Sequence, residues 1–174
     1  EMRVSGHTDM VIGNSTLSIF AVLFVATISI GIALCSRHAN LREAVTLLTS
    51  ALLFTCVASL LPAILTGARP AVQLLEPLPG LPVVFTVEPL GMLFALIASG
   101  LWIINSIYSI GYLRGNNESN QTRFYVCFAL ALSAAIGIAF AGNLITLFVF
   151  YEILTLITYP LVTHHGTDKA KQGG

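Results

Sequence analysis

The stretch LITLFVFYEILTLITYPLVT, residues 144–163, decides the architecture: twenty residues that carry one charge, that of Glu152. A bilayer core of about 30 Å is crossed by roughly 20 predominantly apolar residues in an α-helix, so this segment is long enough to span a membrane alone. The same ruler laid upstream gives four further candidate spans, at residues 17–35, 44–66, 90–113 and 124–141. Gly142-Asn143 separates the last two spans, and so short a connection makes them neighbours running in opposite directions. Composition agrees, with 56% hydrophobic and 9% charged residues and a mean hydropathy of +0.86. Soluble domains are about a quarter charged. The chain is read as an all-α integral membrane protein, residues 1–174 forming a single membrane domain with about five transmembrane helices.

Between the second and third spans, residues 69–89 hold five of the seven prolines, Pro70, Pro77, Pro79, Pro82 and Pro89. Proline lacks a backbone donor and fixes φ, which excludes a continuous helix. The run Val83-Val84-Phe85-Thr86-Val87 is strand-prone, so a short strand or hairpin outside the cytoplasm is predicted here. The first apolar run is longer than a signal-peptide core and lacks the cationic flank, so it is expected to be retained as a span. Basic residues favour cytoplasmic loops. Arg37, Arg42, Arg114, Arg123, Lys169 and Lys171 fall on one side, and Arg3 and Arg69 on the other. That partition places the amino terminus outside and the carboxyl terminus in the cytoplasm of a cell (inner) membrane.

Eight Lys plus Arg balance eight Asp plus Glu, which leaves no electrostatic case for nucleic acid. Cys35, Cys56 and Cys127 show no metal-ligand or redox spacing and are read as packing residues. No Gly-rich nucleotide loop or cysteine array is present, so no NADH, flavin, iron–sulfur cluster or other cofactor, and no metal, is expected.

Seven of the eight acids fall in predicted tails or loops, Glu43 among them; Glu152 does not. Eight residues into its span, it sits about 12 Å from the helix start, near the bilayer midplane. An acid there costs roughly 2.5 to 3.5 kcal/mol on insertion scales, and such residues mark ion or proton pathways by default. Thr155, Tyr159 and Thr163 return to within about 60° of Glu152 at helical spacing, which makes one polar stripe. Burial disfavours the charged form of a carboxyl, so Glu152 is placed to gain and release a proton, with Thr155 and Tyr159 in support. The plainer reading is a neutral hydrogen-bonded carboxyl that glues two helices. Pro160 frees a carbonyl and is expected to kink or end the helix; packing alone would also account for it. His164 and His165 at the cytoplasmic end are candidates for interfacial proton uptake, or simply a polar helix terminus. Adjacent histidines point about 100° apart, which does not suit a metal.

Two further patterns concern helix contacts. Ser99, Trp102, Asn105, Ser106 and Ser109 form a polar seam on the third span, of the kind that hydrogen-bonds across helices. Ser133, Gly137 and Ala141 form a small-residue face on the fourth.

The run Gly142-Asn-Leu-Ile-Thr-Leu-Phe-Val-Phe-Tyr-Glu-Ile-Leu-Thr-Leu-Ile-Thr-Tyr-Pro-Leu-Val-Thr-His-His-Gly-Thr resembles the fifth membrane helix of the antiporter-like subunits shared by respiratory complex I (NADH:quinone oxidoreductase) and Mrp-type Na+/H+ antiporters. The likeness is nearest to the D-type members of the Mrp group. Phe85-Thr-Val-Glu-Pro-Leu-Gly-Met-Leu-Phe resembles the opening of the third helix there, with Glu88 where an Asp is usual. Tyr112-Leu-Arg-Gly and Arg123-Phe-Tyr resemble the following loop and helix start. The resemblance covers residues 85–174. It implies that Glu152 matches the glutamate of the ion path, which pairs in that family with a lysine two helices later, beyond Gly174. It also implies that this sequence is the amino-terminal portion of a proton-conducting transporter domain. The expected function is a proton-translocating, or Na+/H+-translocating, subunit of a multisubunit antiporter or complex I-like oxidoreductase. Its partners would be the other membrane subunits, and at most it would be a non-redox subunit of such an enzyme. The alternative is a structural or assembly subunit whose Glu152 only docks a partner helix.

Overall fold

The computed structural model describes residues 31, 39–116 and 121–162. Within them the order of elements is α1 (Ala39–Leu65), β1 (Ala71–Leu78), β2 (Leu81–Thr86), α2 (Pro89–Gly115), α3 (Gln121–Ala139) and α4 (Leu144–Val162). All four helices are long and apolar enough to cross a membrane, and they occupy the second to fifth candidate spans. The first span, apart from Gly31, lies outside the described residues, as do Cys35, Thr163, His164 and His165.

Helix α1 begins at Ala39, five residues before the predicted start at 44. The apolar ruler stops at a charge, whereas the helix continues through Arg42 and Glu43 because both are paired inside the protein. Glu43 is therefore a helical, buried residue (5% exposed), not the loop acid that the sequence suggests. At 27 residues, α1 is about 40 Å long, enough to carry its first turns into the headgroup zone. At its other end Gly67 takes a φ of 88°. The Gly67 N–H donates to Ile64 O and the Ala68 N–H to Ala63 O, both at 3.0 Å, which is the paired closure of a glycine-terminated helix. Helix α2 starts on Pro89, where a missing N–H costs nothing.

The proline-rich segment is an antiparallel hairpin pairing Ala71 with Thr86, Val72 with Phe85 and Gln73 with Val84. The register is irregular between Gln73 and Leu78, and Pro77 falls in that irregular part, where a strand tolerates a missing donor. At the tip Gly80 has a φ of 80°, and its N–H donates to Glu76 Oε1 at 2.6 Å. The hairpin is closed at its base by Val87 N–H donating to Pro70 O at 2.9 Å.

Strand β2 is also tied to the connection between α3 and α4. Thr86 N–H donates to Phe140 O (2.7 Å) and Gly142 N–H donates to Val84 O (2.8 Å), while Phe85 bridges to Ala141. A Cβ on Gly142 would lie 2.5 Å from Thr86 Oγ1, so the close approach requires glycine. Asn143 then fixes the start of α4. Its Nδ2 donates to Pro82 O (2.7 Å), and its Oδ1 accepts from the Thr146 N–H (2.8 Å) and Oγ1–H (2.7 Å). Thr146 Oγ1 in turn accepts the Val84 N–H at 2.8 Å.

The core lies between α1, α2, α3 and the inner face of the hairpin, around Trp102, Phe85, Phe140, Leu53 and Leu60. The buried row of α1 changes along its length, from Arg42, Glu43, Thr46, Thr49 and Ser50 to Leu53, Val57, Leu60 and Ile64. Of the seam expected on α2, Ser99, Trp102, Ser106 and Ser109 are buried and Asn105 is half-buried. Ser99 Oγ, however, donates to Ala95 O of its own helix, not across to another, and Ser106 Oγ has no hydrogen-bond partner among the described residues. On α3, Ser133 and Gly137 are buried, whereas Ala141 lies past the helix end. Cys56 and Cys127 are half-buried within this packing and form no disulfide among the described residues.

Replacing Asn143 by Ala removes three hydrogen bonds where helix and hairpin meet. The expected cost is about 1 to 3 kcal/mol, read as a lower unfolding temperature of the purified protein in detergent, with Asn116→Ala on an exposed helix end as the control.

Candidate functional site

Helix α4 has two unlike faces. Thr146 is its one buried residue, and Phe150, Leu154 and Ile157 on the same side are half-buried. Glu152, Thr155 and Tyr159 are exposed, as are Phe148 (59%) and Leu156 (73%). The split follows from helical geometry: Glu152 lies two residues, about 200°, beyond Phe150. With Phe150 facing α3, the carboxyl must point away from it.

The polar stripe read from the sequence is thus continuous over Glu152, Thr155 and Tyr159, and it is directed outward. Thr155 Oγ1 donates to Tyr151 O and Thr158 Oγ1 to Thr155 O, both at 2.9 Å. Both hydroxyls keep acceptor lone pairs for another group. Thr155, Leu156, Thr158, Tyr159 and Val162 border an open groove of about 420 Å³. Among the described residues Glu152 has no hydrogen-bond or ion-pair partner. Pro160 lies inside the helix, which continues to Val162, so the proline does not end it.

Among the described residues the strongest charge cluster is elsewhere, where the first turns of α1 and α3 meet the last turn of α2. Arg114 Nη2 lies 2.6 Å from Glu43 Oε2, and Arg114 Nε donates to Glu43 Oε1 at 2.9 Å. Arg114 also donates to Asn40 Oδ1. Arg42 is 3.9 Å from the same carboxylate. Its guanidinium donates to Thr122 Oγ1 (3.0 Å) and Gln121 Oε1 (2.7 Å) and stacks over the Tyr125 ring at 5.2 Å. Reading the chain one helix at a time misses this cluster, because its partners are 71 to 80 residues apart. The signal in the sequence is Arg42-Glu43 itself, two opposite charges placed directly before an apolar run. No group of three or more potential metal ligands occurs among the described residues.

Comparison with known proteins places the chain beside membrane antiporter subunits. No protein-family model matches it. It is 36% identical over 88 residues to the A-type subunit of a Na(+)/H(+) antiporter of Alkalihalophilus pseudofirmus, covering 49% of this chain and 11% of that protein. It is 34% identical over 77 residues to the A1-type subunit of a Na(+)/H(+) antiporter of Staphylococcus aureus, covering 44% and 9%. Two solved structures share the fold at a TM-score of 0.67. One is a chain of the membrane-bound sulfane sulfur reductase, an archaeal respiratory membrane complex (19% identity, 83% of this chain and 23% of that one). The other is from the Mrp complex of Dietzia sp. DQ12-45-1b (20% identity, 86% and 27%). The chain therefore spans about a tenth of the curated relatives it matches and about a quarter of the solved chains. These likenesses support an antiporter-like membrane subunit. The curated relatives are of the A type, not the D type to which the sequence resemblance points.

In Glu43→Gln the buried guanidinium of Arg42 loses its counter-charge. A loss of about 3 kcal/mol is expected, the lower end for a broken buried pair, because the Arg114 side chain is 48% exposed. Thermal unfolding in lipid nanodiscs checks this, with the exposed Arg69→Ala changing stability by no more than about 0.5 kcal/mol.

Proposed function

We propose that the chain is part of a proton-translocating subunit, with Na+ as a second candidate ion, in a multisubunit Mrp-type cation/proton antiporter or a complex I-like oxidoreductase. Glu152 is its proton-carrying group. One observation carries the reading: halfway along an otherwise apolar membrane helix, a single carboxyl is held on the outward face in line with Thr155 and Tyr159. A carboxyl at that depth is too costly to leave against lipid, so this face is covered by protein or by water lining a path. Either covering lets the group exchange a proton when access changes, and the hydroxyls on its own helix can solvate the proton in transit.

The curated relatives favour an A-type role over the D-type one that the sequence resemblance implies. The bias of basic residues supports an extracytoplasmic hairpin and a cytoplasmic arginine cluster in a cell (inner) membrane, with the amino terminus outside and the carboxyl terminus in the cytoplasm. His164 and His165, which follow the helix in the sequence, are its candidate groups for proton uptake at the cytoplasmic side. The sequence is taken as the amino-terminal portion of a larger proton-conducting transporter domain, whose other membrane subunits are its partners.

A second reading rests on the apolar character of the same outward face. Phe148 and Leu156 flank the stripe and are well exposed, so a partner helix could dock there with Glu152 serving only as a hydrogen-bonding group. Glu152→Gln separates the two, because glutamine can still hydrogen-bond but cannot exchange a proton. In the full-length chain within its assembled complex, Glu152→Gln is expected to lower cation/proton exchange in vesicles by a hundredfold or more, about the scale for loss of a proton-transfer group, with assembly unchanged. Undiminished exchange would favour the docking reading.

A further inference from the structure

Helix α4 is hydrogen-bonded to the hairpin at its first turn and packs along α3 beyond it. Asn143 and Thr146 tie its first turn to the hairpin, and Thr146 is the one residue of the helix that is buried. One turn later, and about 40° around the helix, Phe150 makes the next contact. Its ring meets Phe85 of β2 edge-on, with centroids 5.3 Å apart and planes at 64°. Phe85 itself is 1% exposed and cannot yield without disturbing the core. On its other side the ring lies over Gly137 of α3, where a Cβ would come within 2.6 Å of Cε1 and 2.7 Å of Cγ. Those atoms include the root of the ring, so no rotation about its own axis makes room for even a methyl group. Phe150 is a knob seated between a fixed aromatic and a position that must be glycine.

From these contacts we infer that Phe150, seated between Gly137 and Phe85, is a positioning residue that sets the rotation of α4 and thereby the direction in which Glu152 points. The inference rests on the proposed role of Glu152 for its functional consequence, but the geometry of the seat stands apart from it. Beyond Phe150 the helix has no fully buried residue, and Leu154 and Ile157 continue the same side half-buried, so the contact fixed by Phe150 sets the side on which they lie. The hairpin contributes through Phe85, which makes a surface element part of what aims a carboxyl at mid-helix.

The test uses the full-length chain in its assembled complex, with spin labels on cysteines replacing Glu152 and Leu75, the latter an exposed hairpin residue. Pulsed electron resonance should show one narrow distance distribution, shifted or split by Gly137→Ala or by Phe150→Ala. Because the clash needs both partners, Gly137→Ala should add no further change in a Phe150→Ala background. In unlabelled protein that retains Glu152, exchange per assembled complex should fall about tenfold or more in Gly137→Ala, since small misplacements of reacting groups are costly. An unmoved distribution in a Gly137→Ala complex overturns the seat, and a moved distribution with unchanged exchange overturns the positioning role. If Gly137→Ala fails to assemble, Phe150→Ala, which empties the seat instead of crowding it, is read in its place. Should Glu152→Gln prove silent in transport, the proton-carrier reading fails while the distance measurement still decides the seat.

Discussion

A backbone donor or acceptor taken out of water has to be satisfied inside the protein, and the short passage from α3 to α4 meets that constraint by borrowing the hairpin. Strand β2 pairs with β1 along one edge and offers the other to residues 140–142. Asn143 and Thr146 complete the set with their side chains. The direction in which α4 leaves, and the face it turns toward α3, follow from this junction. So does the outward placement of its single carboxyl. A change in β2 would reach Glu152 through two contacts, Val84 to Thr146 and Phe85 to Phe150.

The opposite end of the bundle is held by charge. Glu43 receives two guanidiniums, one on its own helix and one from α2, while Arg42 reaches across to α3. Between the two ends the α1 row of the core grades from hydroxyls to hydrocarbon. Thr46, Thr49 and Ser50 donate to carbonyls of their own helix, so their burial leaves no donor unmet. A three-helix group closed at both ends is a firm base for a fourth helix that packs on α3 by one side and leaves the other exposed. That suits a subunit in which one helix face has to meet other protein or water.

Much of this is legible in the sequence because the physics behind it is local. A span is recognised by the absence of charge over the thickness of a bilayer, and the four described helices overlap the apolar runs 44–66, 90–113, 124–141 and 144–163, with ends that differ by up to five residues. Five prolines in 69–89 exclude helix, and the β-branched run 83–87 supplies a strand. The stripe of Glu152, Thr155 and Tyr159 is a matter of 3.6-residue spacing. Features that depend on distant partners are not legible in this way. Arg42 and Glu43 look like loop residues until Arg114, Gln121 and Thr122 are beside them, and the start of α1 differs from its expected place for the same reason. Phe150 reads as one more apolar residue until Gly137 is found beneath it.

The shared carboxylate of Glu43 also bears on biogenesis. A newly made α1 entering the bilayer alone would bring Arg42 and Glu43 with it, 3.9 Å apart and without the hydrogen bonds from later segments that offset their desolvation. Arg114 is synthesised 71 residues after Glu43, and Gln121 and Thr122 later still. The leading turns of α1, at headgroup depth, would therefore gain these partners only when α2 and α3 arrive. Three helices would then settle together, with the last of them bringing groups that satisfy the first.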